Sequence, residues 1–366
     1  MAEDSSSTFY IEQRMVAEKV KTLFHIRNQY FREQGAVEFE VEEDGVNKLA
    51  FLKLIKEIKP LGYLAVLRRG EGYLTLIAFR KPEVKKRGLR LNLILLLATL
   101  GTVAADGFFK SSNYPGNLPL MIGLYAVGIM GIIGVHEMGH KIASALHGVK
   151  SSPPYFIPGI PGALPTLGAV ITSSEPPTNR DSLFDLGISG PLAGLAVTLL
   201  VAVGGALTSA AVPIEELSRQ AAAGKLLMVS NLDIFTAYLL SIFAPQRVGT
   251  GIILSPLIFA SSLGFLITFL NLMPAWQLDG GHVARAVLSP KLHKILTYAS
   301  IAVLFITGFQ LMAILILILS MRSPEMKPLD DVSPLSKSRK IMFILVWVIA
   351  ALIYIFAIRS NPFFFR

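Results

Sequence analysis

The sequence predicts a polytopic α-helical membrane protein of about six transmembrane helices, preceded by a small soluble α/β domain. Hydrophobic residues make up 52% of the 366 residues, charged residues make up 16%, and the mean hydropathy is +0.57. Because about a quarter of the residues in soluble domains are charged, this composition is typical of a membrane protein. It changes sharply near residue 90, which predicts a soluble adapter or regulatory domain over 1–88 and a transmembrane domain over 89–366.

The soluble domain is predicted from its succession of helical and strand patterns. Residues 10–35 have the apolar spacing of a helix that stops at Gly35, and "AVEFEVEE" alternates as a strand that ends at a turn through Asp44 and Gly45. "KLAFLKLIKEIKPLG" predicts a second helix, and "YLAVLRRGEGYLTLIAFRK" predicts a hairpin. The N-terminus lacks the basic stretch and apolar core of a signal peptide, so we expect none.

Six apolar segments after residue 90 are long enough to cross a hydrocarbon layer of about 30 Å. The cluster "KPEVKKRGLR" precedes the first of them and predicts that the N-terminal domain lies on the cytoplasmic side, where basic residues accumulate. Because basic residues of this kind flank membrane spans, the net charge of +9 does not lead us to expect nucleic-acid binding. The segments cover residues 91–109, 119–147, 190–212, 252–273, 296–320 and 340–358.

Three other segments do not fit a simple series of spans. The basic loop "RSPEMKPLDDVSPLSKSRK" falls on the outer side by parity, which conflicts with the charge bias for the last two spans. Residues 213–251 contain an apolar stretch that is too short to span, so we expect an interfacial or re-entrant piece. Residues 150–180 are rich in Pro and Gly, which excludes a helix and predicts a short strand or hairpin around Gly168–Ser173.

The second apolar segment contains the motif "HEMGH", in which His136 and His140 are four residues apart. On a helix this spacing puts both imidazoles on one face, where they can bind one Zn²⁺, with Glu137 beside them as a base for the bound water. The alternative is a polar patch between packed helices, but ionisable groups within a span are costly unless a partner such as a dication compensates them. The chain has no cysteine, so any metal ligand must be His, Asp or Glu. Gly139 would let another backbone or a substrate approach closely.

A hydrolytic zinc site needs a third protein ligand and an open position for water. His25 belongs to the soluble domain, His147 is expected at a helix interface, and His293 is expected to be solvated. The remaining candidates are Asp279 and His282 in "NLMPAWQLDGGH", which follows the fourth span, and the spacing alone leaves the choice between them open. Asp279 could also cap the helix that begins there.

Together, "HEMGH" inside a span, "FDLGISGPLAG" after it and "NLMPAWQLDGGH" at the end of a later span resemble the site-2 protease family of intramembrane zinc metalloproteases. The resemblance covers residues 119–290 and is closest to the compact branch, because no PDZ-like insertion is evident between the third and fourth spans. It implies a core of three spans, a zinc site reached from the cytoplasmic side, and close helix packing at Gly190 and Gly194.

The resemblance also implies roles for individual residues. His136, His140 and Asp279 would be the zinc ligands, and Glu137 would be the catalytic base. Asn271 is interpreted as a hydrogen-bond donor to the oxyanion, as a partner of the substrate backbone, or as a cap of the broken helix.

In the same way, "LGAVITSSE", with Gly168, Ala169 and Val170, resembles the strand segment that pairs with an unwound substrate. The implied function is hydrolysis of a peptide bond in or near a transmembrane segment of a membrane protein. One alternative is a catalytically inactive relative that binds membrane clients through its N-terminal domain. Another is an ion or proton transporter that uses the buried ionisable residues as a relay.

Overall fold

The N-terminal region folds around a four-stranded sheet. The computed structural model describes residues 2–32, 35–43, 48–82, 88–226, 232–245, 247–322 and 326–360. The strands form an antiparallel sheet in the order β1-β2-β4-β3, and apolar residues of both helices pack in a core cluster with it. The elements are α1 (Ala2–Lys21), β1 (Ile26–Phe31), β2 (Val37–Val41), α2 (Lys48–Ile58), β3 (Tyr63–Arg69) and β4 (Leu74–Arg80).

The first helix is shorter than the sequence predicts. Val16 and Val20 are fully buried, so the helical pattern is real at its start. Beyond α1 the chain forms β1 and pairs with β2, and the prediction of one helix over 10–35 is therefore wrong in its second half. Cross-strand pairing outweighs the local pattern there, and Gly35, with φ +79°, lies between the two strands. The predicted second helix and the hairpin of β3 and β4 are confirmed, whereas the turn at 44–45 falls outside the described residues.

The rest of the described chain is mainly helical. Of its helices, α3, α4, α5 and α12, with the π-helical turn that extends α12 to Ile358, are long and apolar enough to cross a membrane, and α7, α8 and α11 are shorter apolar helices. A helical membrane architecture with a small N-terminal sheet is thus confirmed. The elements are α3 (Arg90–Ser111), α4 (Leu118–Leu146), β5 (Tyr155–Ile160), β6 (Leu164–Val170), α5 (Arg180–Thr208), β7 (Ala210–Pro213), α6 (Ile214–Ala222), α7 (Ile234–Phe243), β8 (Thr250–Ile253), α8 (Pro256–Leu272), α9 (Asp279–Val287), α10 (Pro290–Ile306), α11 (Gln310–Arg322) and α12 (Lys337–Ile353).

Two of the predicted spans have different limits in the structure. α5 begins well before residue 190 because Asn179 and Ser182 form a capping box, in which each side chain accepts a hydrogen bond from the backbone amide of the other, at 2.9 and 3.0 Å. The predicted span over 296–320 is not one continuous helix, since α10 and α11 are separate helices. Gly308, with φ +96°, lies at the break between them, a conformation that ends a right-handed helix.

The described residues of the range 213–251 form small elements rather than a long helix. β7 and β8 pair antiparallel, with Ala210 opposite Ile253, and α6 and α7 lie between them in the sequence. α7 has 10 residues, so at 1.5 Å per residue it is about 15 Å long, half the thickness of a hydrocarbon layer. α7 alone is therefore too short to cross such a layer, and an interfacial or re-entrant position stays a prediction.

The segment rich in Pro and Gly before α5 forms a hairpin of β5 and β6, which pair from Tyr155 opposite Val170 to Ile160 opposite Leu164. The hairpin therefore lies earlier in the sequence than the predicted strand at Gly168–Ser173, which overlaps only its last three residues.

Polar side chains on α3 hold this hairpin. Thr102 donates a hydrogen bond to the Pro165 carbonyl at 2.8 Å, and Asn92 bonds two carbonyls at the start of the hairpin. Asp106 accepts a hydrogen bond from the Gly162 amide at the hairpin turn, at 2.6 Å. Because an unpaired backbone group is costly away from water, these bonds explain how irregular backbone is tolerated beside a long apolar helix.

Candidate metal centre

Two histidines of α4 face each other one helical turn apart. The Nε2 atoms of His136 and His140 are 3.1 Å apart, and the two rings meet at an interplanar angle of 71°. α4 starts at a cap in which the Asn117 side chain accepts a hydrogen bond from a backbone amide, and it continues without interruption through the motif. The spacing of four residues therefore puts both imidazoles on one face of α4, as the sequence predicts.

Asp279 reaches the same point from the first turn of α9. Its Oδ2 lies 3.2 Å from His136 Nε2 and 3.3 Å from His140 Nε2. α8 ends before Pro274, which cannot continue a helix, and Trp276 adopts φ +46° in the reversal that follows. The reversal brings the start of α9 back to α4.

Glycines allow the helices of the centre to touch. A Cβ built on Gly187 of α5 would lie 2.6 Å from the backbone oxygen of Asp279, and one on Gly190 would collide with the His140 ring. A Cβ on Gly139 of α4 would lie 2.5 Å from a backbone oxygen of α5. The expected close approach at Gly139 and Gly190 is therefore confirmed, and the structure adds that Gly190 faces a metal-ligand candidate directly.

This donor set fits a tetrahedral dication. Zinc bonds of about 2.0–2.1 Å at tetrahedral angles put neighbouring ligand atoms about 3.3 Å apart, and the three observed separations are 3.1, 3.2 and 3.3 Å. His140 Nδ1 lies 2.7 Å from the Leu186 carbonyl oxygen. Because a carbonyl only accepts, Nδ1 carries the proton and the Nε2 lone pair of His140 points toward the other two donor atoms. In the described part of the chain, His136, His140 and Asp279 are the one group of at least three such donors found close together.

Glu137 is buried next to these residues. Its side chain is in the interior of the helix bundle and within electrostatic range of His140 and Asp279. A carboxylate so close to the three donors can exchange a proton with a molecule held between them. Glu137, the expected base, is therefore a neighbour of the three donors and not one of them.

The other histidines lie outside the cluster. His147 bonds Asp185 of α5 at 2.8 Å, as expected at a helix interface, and His25 lies between α1 and β1. His293 is only 4% exposed, so the prediction that it is solvated is wrong, because α10 packs against the loop between α8 and α9. His282 follows Asp279 by less than one turn of α9 and does not join the group. The geometry favours Asp279 as the third ligand.

The remaining candidate residues lie on α8 and at the end of β6, outside the group of three donors. Asn271 is half-buried in the last turn of α8. Ala169 and Val170 end β6, where they pair with β5, and Gly168 adopts φ +92° just before them. β6 packs against α4, the helix that carries the two histidines. The edge of the hairpin is thus next to the helix of the candidate metal centre.

One functional contact could not be predicted from the sequence. The Leu186 carbonyl orients His140, and it comes from the backbone of α5, 46 residues further along the chain. A backbone carbonyl has no residue-type signature, so no pattern identifies it. Gly190 could be noticed in the sequence because it belongs to the small-residue motif of α5, but that motif predicts only close helix packing and not the contact with His140.

Residues 124–315 match the family model described as peptidase family M50. This match covers more than half of the chain, and the chain therefore belongs to peptidase family M50, the site-2 protease family that its three motifs indicate. With the four long apolar helices, this membership identifies an integral membrane protein.

Curated relatives carry related names. The chain is 28% identical over 234 residues to the probable zinc metallopeptidase EGY3, chloroplastic, of Arabidopsis thaliana, covering 58% of this chain and 39% of the relative. It is 27% identical over 225 residues to the probable zinc metalloprotease EGY1, chloroplastic, of the same plant, covering 59% and 39%. With EGY2 the identity is 32% over 173 residues, covering 47% and 30%. The chain thus spans at most two fifths of the length of these relatives, and no solved structure matches it.

Proposed function

We propose that the protein is a zinc metalloendopeptidase that hydrolyses a peptide bond in or near a transmembrane segment of a membrane protein. The observation that carries this proposal is the convergence of His136, His140 and Asp279, from two separate helices, with Glu137 buried beside them. Membership of peptidase family M50 and the names of the relatives support it. They do not favour a transporter or an inactive binding protein.

The three donors would hold Zn²⁺, which when bound polarises a carbonyl and lowers the pKa of bound water to about 7. Glu137 would take the proton of that water and deliver it to the leaving amine. The hydrogen bond from His140 to the Leu186 carbonyl fixes the ring so that its Nε2 lone pair stays available. The amide of Asn271, half-buried at the end of α8, would donate to the oxyanion or to the substrate backbone.

A helical substrate must unwind before attack, because its carbonyls are hydrogen-bonded within the helix. The end of β6, at Gly168, Ala169 and Val170, would bind the freed backbone as an added strand. The side chains of Leu167 and Val170 are exposed, which supports a role of this strand in contact with an apolar segment. The substrates are therefore transmembrane proteins, met within the lipid bilayer.

We place the N-terminal domain and access to the metal centre on the cytoplasmic side. The basic cluster before α3 supports this orientation. α8 has 17 residues and is about 25 Å long, at the lower limit for a span. With α8 and the α10–α11 pair added to the four long helices, the chain would cross the membrane about six times.

The test compares the wild-type protein with Glu137→Gln on a panel of membrane-spanning substrates, with and without a chelator. We expect the wild type to cleave, the chelator to abolish cleavage, and Glu137→Gln to keep bound zinc but lose turnover. Cleavage by the variant at the wild-type rate would refute Glu137 as the base. Cleavage that persists after complete metal removal would refute a metalloprotease, and zinc binding without any cleavage would favour the inactive relative.

A further inference from the structure

A segment before α12 joins the N-terminal sheet to the membrane helices. This segment, residues 328–336, is named the strap here. The Leu67 amide of β3 donates to the Leu329 carbonyl at 2.9 Å, so the strap extends the edge of the sheet. On its other side the Leu329 amide donates to the Pro177 carbonyl at 2.8 Å, just before α5. The Leu329 side chain is buried in the core of the N-terminal domain. The strap therefore lies between the two parts of the chain and joins them through isolated β-bridges from Asp330 to Leu67 and to Asn179.

The strap also makes a buried ion pair with α9. Arg285, in the last turn of α9, is 1% exposed, and its Nη2 lies 2.5 Å from Asp331 Oδ2. Asp331 also accepts a hydrogen bond from Arg180 Nε at 3.3 Å, and its carbonyl accepts one from Arg180 Nη2 at 2.9 Å. A single carboxylate thus bridges the end of α9 and the start of α5.

The Asp331 carboxylate offsets several positive charges that lie near Arg285. Arg68 of β3 interacts electrostatically with both Arg285 and Asp331, and it donates a hydrogen bond to the strap backbone. Arg180 faces the same carboxylate. Without the Asp331 charge, three guanidinium groups would lie close together, one of them almost fully buried, and removing one member of a buried ion pair is strongly destabilising. The last turn of α9 would therefore be expected to shift.

The first turn of the same helix carries the metal-ligand candidate. α9 has nine residues and is about 13 Å long, so a tilt at Arg285 moves Asp279 as well. The residue before α9, Leu278, provides no side-chain cap, so the anchor at the far end matters more for the position of the helix. Asp279 contacts both imidazoles through one oxygen, and a displacement of that oxygen changes the ligand geometry.

We propose that Arg285 and Asp331 are positioning residues for Asp279, and that the strap thereby couples the docking of the N-terminal sheet to the geometry of the metal centre. This inference rests on the proposed function, because it assigns a metal-ligand role to Asp279. Neither Arg285 nor Asp331 touches the reacting groups. They act through the backbone of α9.

The test uses full-length protein in detergent and compares Asp331→Asn with Glu175→Gln. Both changes put an amide in place of a carboxylate that is engaged in ion pairs. Glu175 pairs with Lys59 and Lys81 of the N-terminal domain, whereas Asp331 pairs with Arg180 of α5 and Arg285 of α9. Only Asp331 contacts α9. We expect Asp331→Asn to weaken zinc binding about tenfold in a chelator competition, as for changes in outer-shell partners, and to alter the visible absorption of the Co²⁺-substituted protein. Glu175→Gln should match the wild type in both measurements.

The double variant Arg285→Gln/Asp331→Asn keeps the test decisive if the single variant folds poorly, because it removes both charges together. We expect its zinc affinity to exceed that of Asp331→Asn. Equal zinc affinity of wild type and Asp331→Asn, or equal losses in Asp331→Asn and Glu175→Gln, would overturn the coupling through α9. A wild type that binds no zinc would instead overturn the proposed function, and the inference with it.

Discussion

The contact between Gly190 and His140 leads to a strong prediction. A Cβ built on Gly190 lies 2.5 Å from both Cδ2 and Cε1 of the His140 ring and collides with its Nε2. Non-bonded carbons need about 3.5–4.0 Å, so Gly190→Ala must move the ring by about 1 Å or force the two helices apart. A misplacement of about 1 Å can cost about 100-fold in rate, which corresponds to about 2.7 kcal/mol in the barrier.

The matched control is Gly134→Ala, in the same helix as His140 and with no atom within 4 Å of the added Cβ. Alanine favours a helix over glycine by about 0.5–1 kcal/mol, so we expect Gly134→Ala to have wild-type activity and equal or higher stability. The assay measures zinc affinity by chelator competition and cleavage of a transmembrane substrate in proteoliposomes. Wild-type affinity and turnover in Gly190→Ala would refute the packing of α5 against the His140 ring.

Three further predictions concern elements around the centre. Asp106→Ala removes the acceptor of a buried tyrosine hydroxyl and of the Gly162 amide, and leaving these donors unpaired should cost about 1–3 kcal/mol per group. Hydrogen exchange at the hairpin turn should therefore accelerate. Unchanged exchange would contradict the anchoring role of α3. Asn179→Ala should lower the free energy of unfolding by about 1 kcal/mol through loss of the α5 cap, measured by thermal unfolding, and an unchanged melting temperature would count against the cap. Burial alone would raise the pKa of Glu175, but hydrogen bonds from two lysines outweigh it and hold that pKa below its usual value. The carboxylate therefore stabilises the fold above its unfolded pKa, and this contribution is lost as the pH falls through the lower folded pKa. In Glu175→Gln the free energy of unfolding should consequently fall less steeply as the pH is lowered. The same dependence on pH in variant and wild type would refute this.

The parts of the centre that local spacing encodes could be predicted from the sequence. The four-residue spacing of His136 and His140 puts their rings on one face of any uninterrupted helix, and α4 is uninterrupted through the motif. Spacing left Asp279 and His282 equivalent as a third ligand. The reversal at Pro274 and Trp276, which decides the direction of α9, distinguishes them in the structure.

The features that the sequence did not predict depend on contacts between distant segments. The sequence predicts a helix across β1, whereas these residues form a strand by pairing with β2, and no local pattern indicates that pairing. His293 was expected in solvent because its basic neighbours suggested a surface, whereas its burial results from packing of α10 against a loop. The Arg285–Asp331 pair joins positions 46 residues apart, and nothing in either local sequence indicates the partner.

The central claim is that one metal ion is held jointly by α4 and α9. It is tested most directly by the zinc content and zinc affinity of Asp279→Ala and His282→Ala beside the wild type, each purified in detergent and dialysed against the same buffered zinc. We predict one zinc per chain in the wild type and in His282→Ala, and zinc binding weakened at least about tenfold in Asp279→Ala. Full zinc occupancy and affinity in Asp279→Ala, with loss of zinc in His282→Ala, would contradict this account.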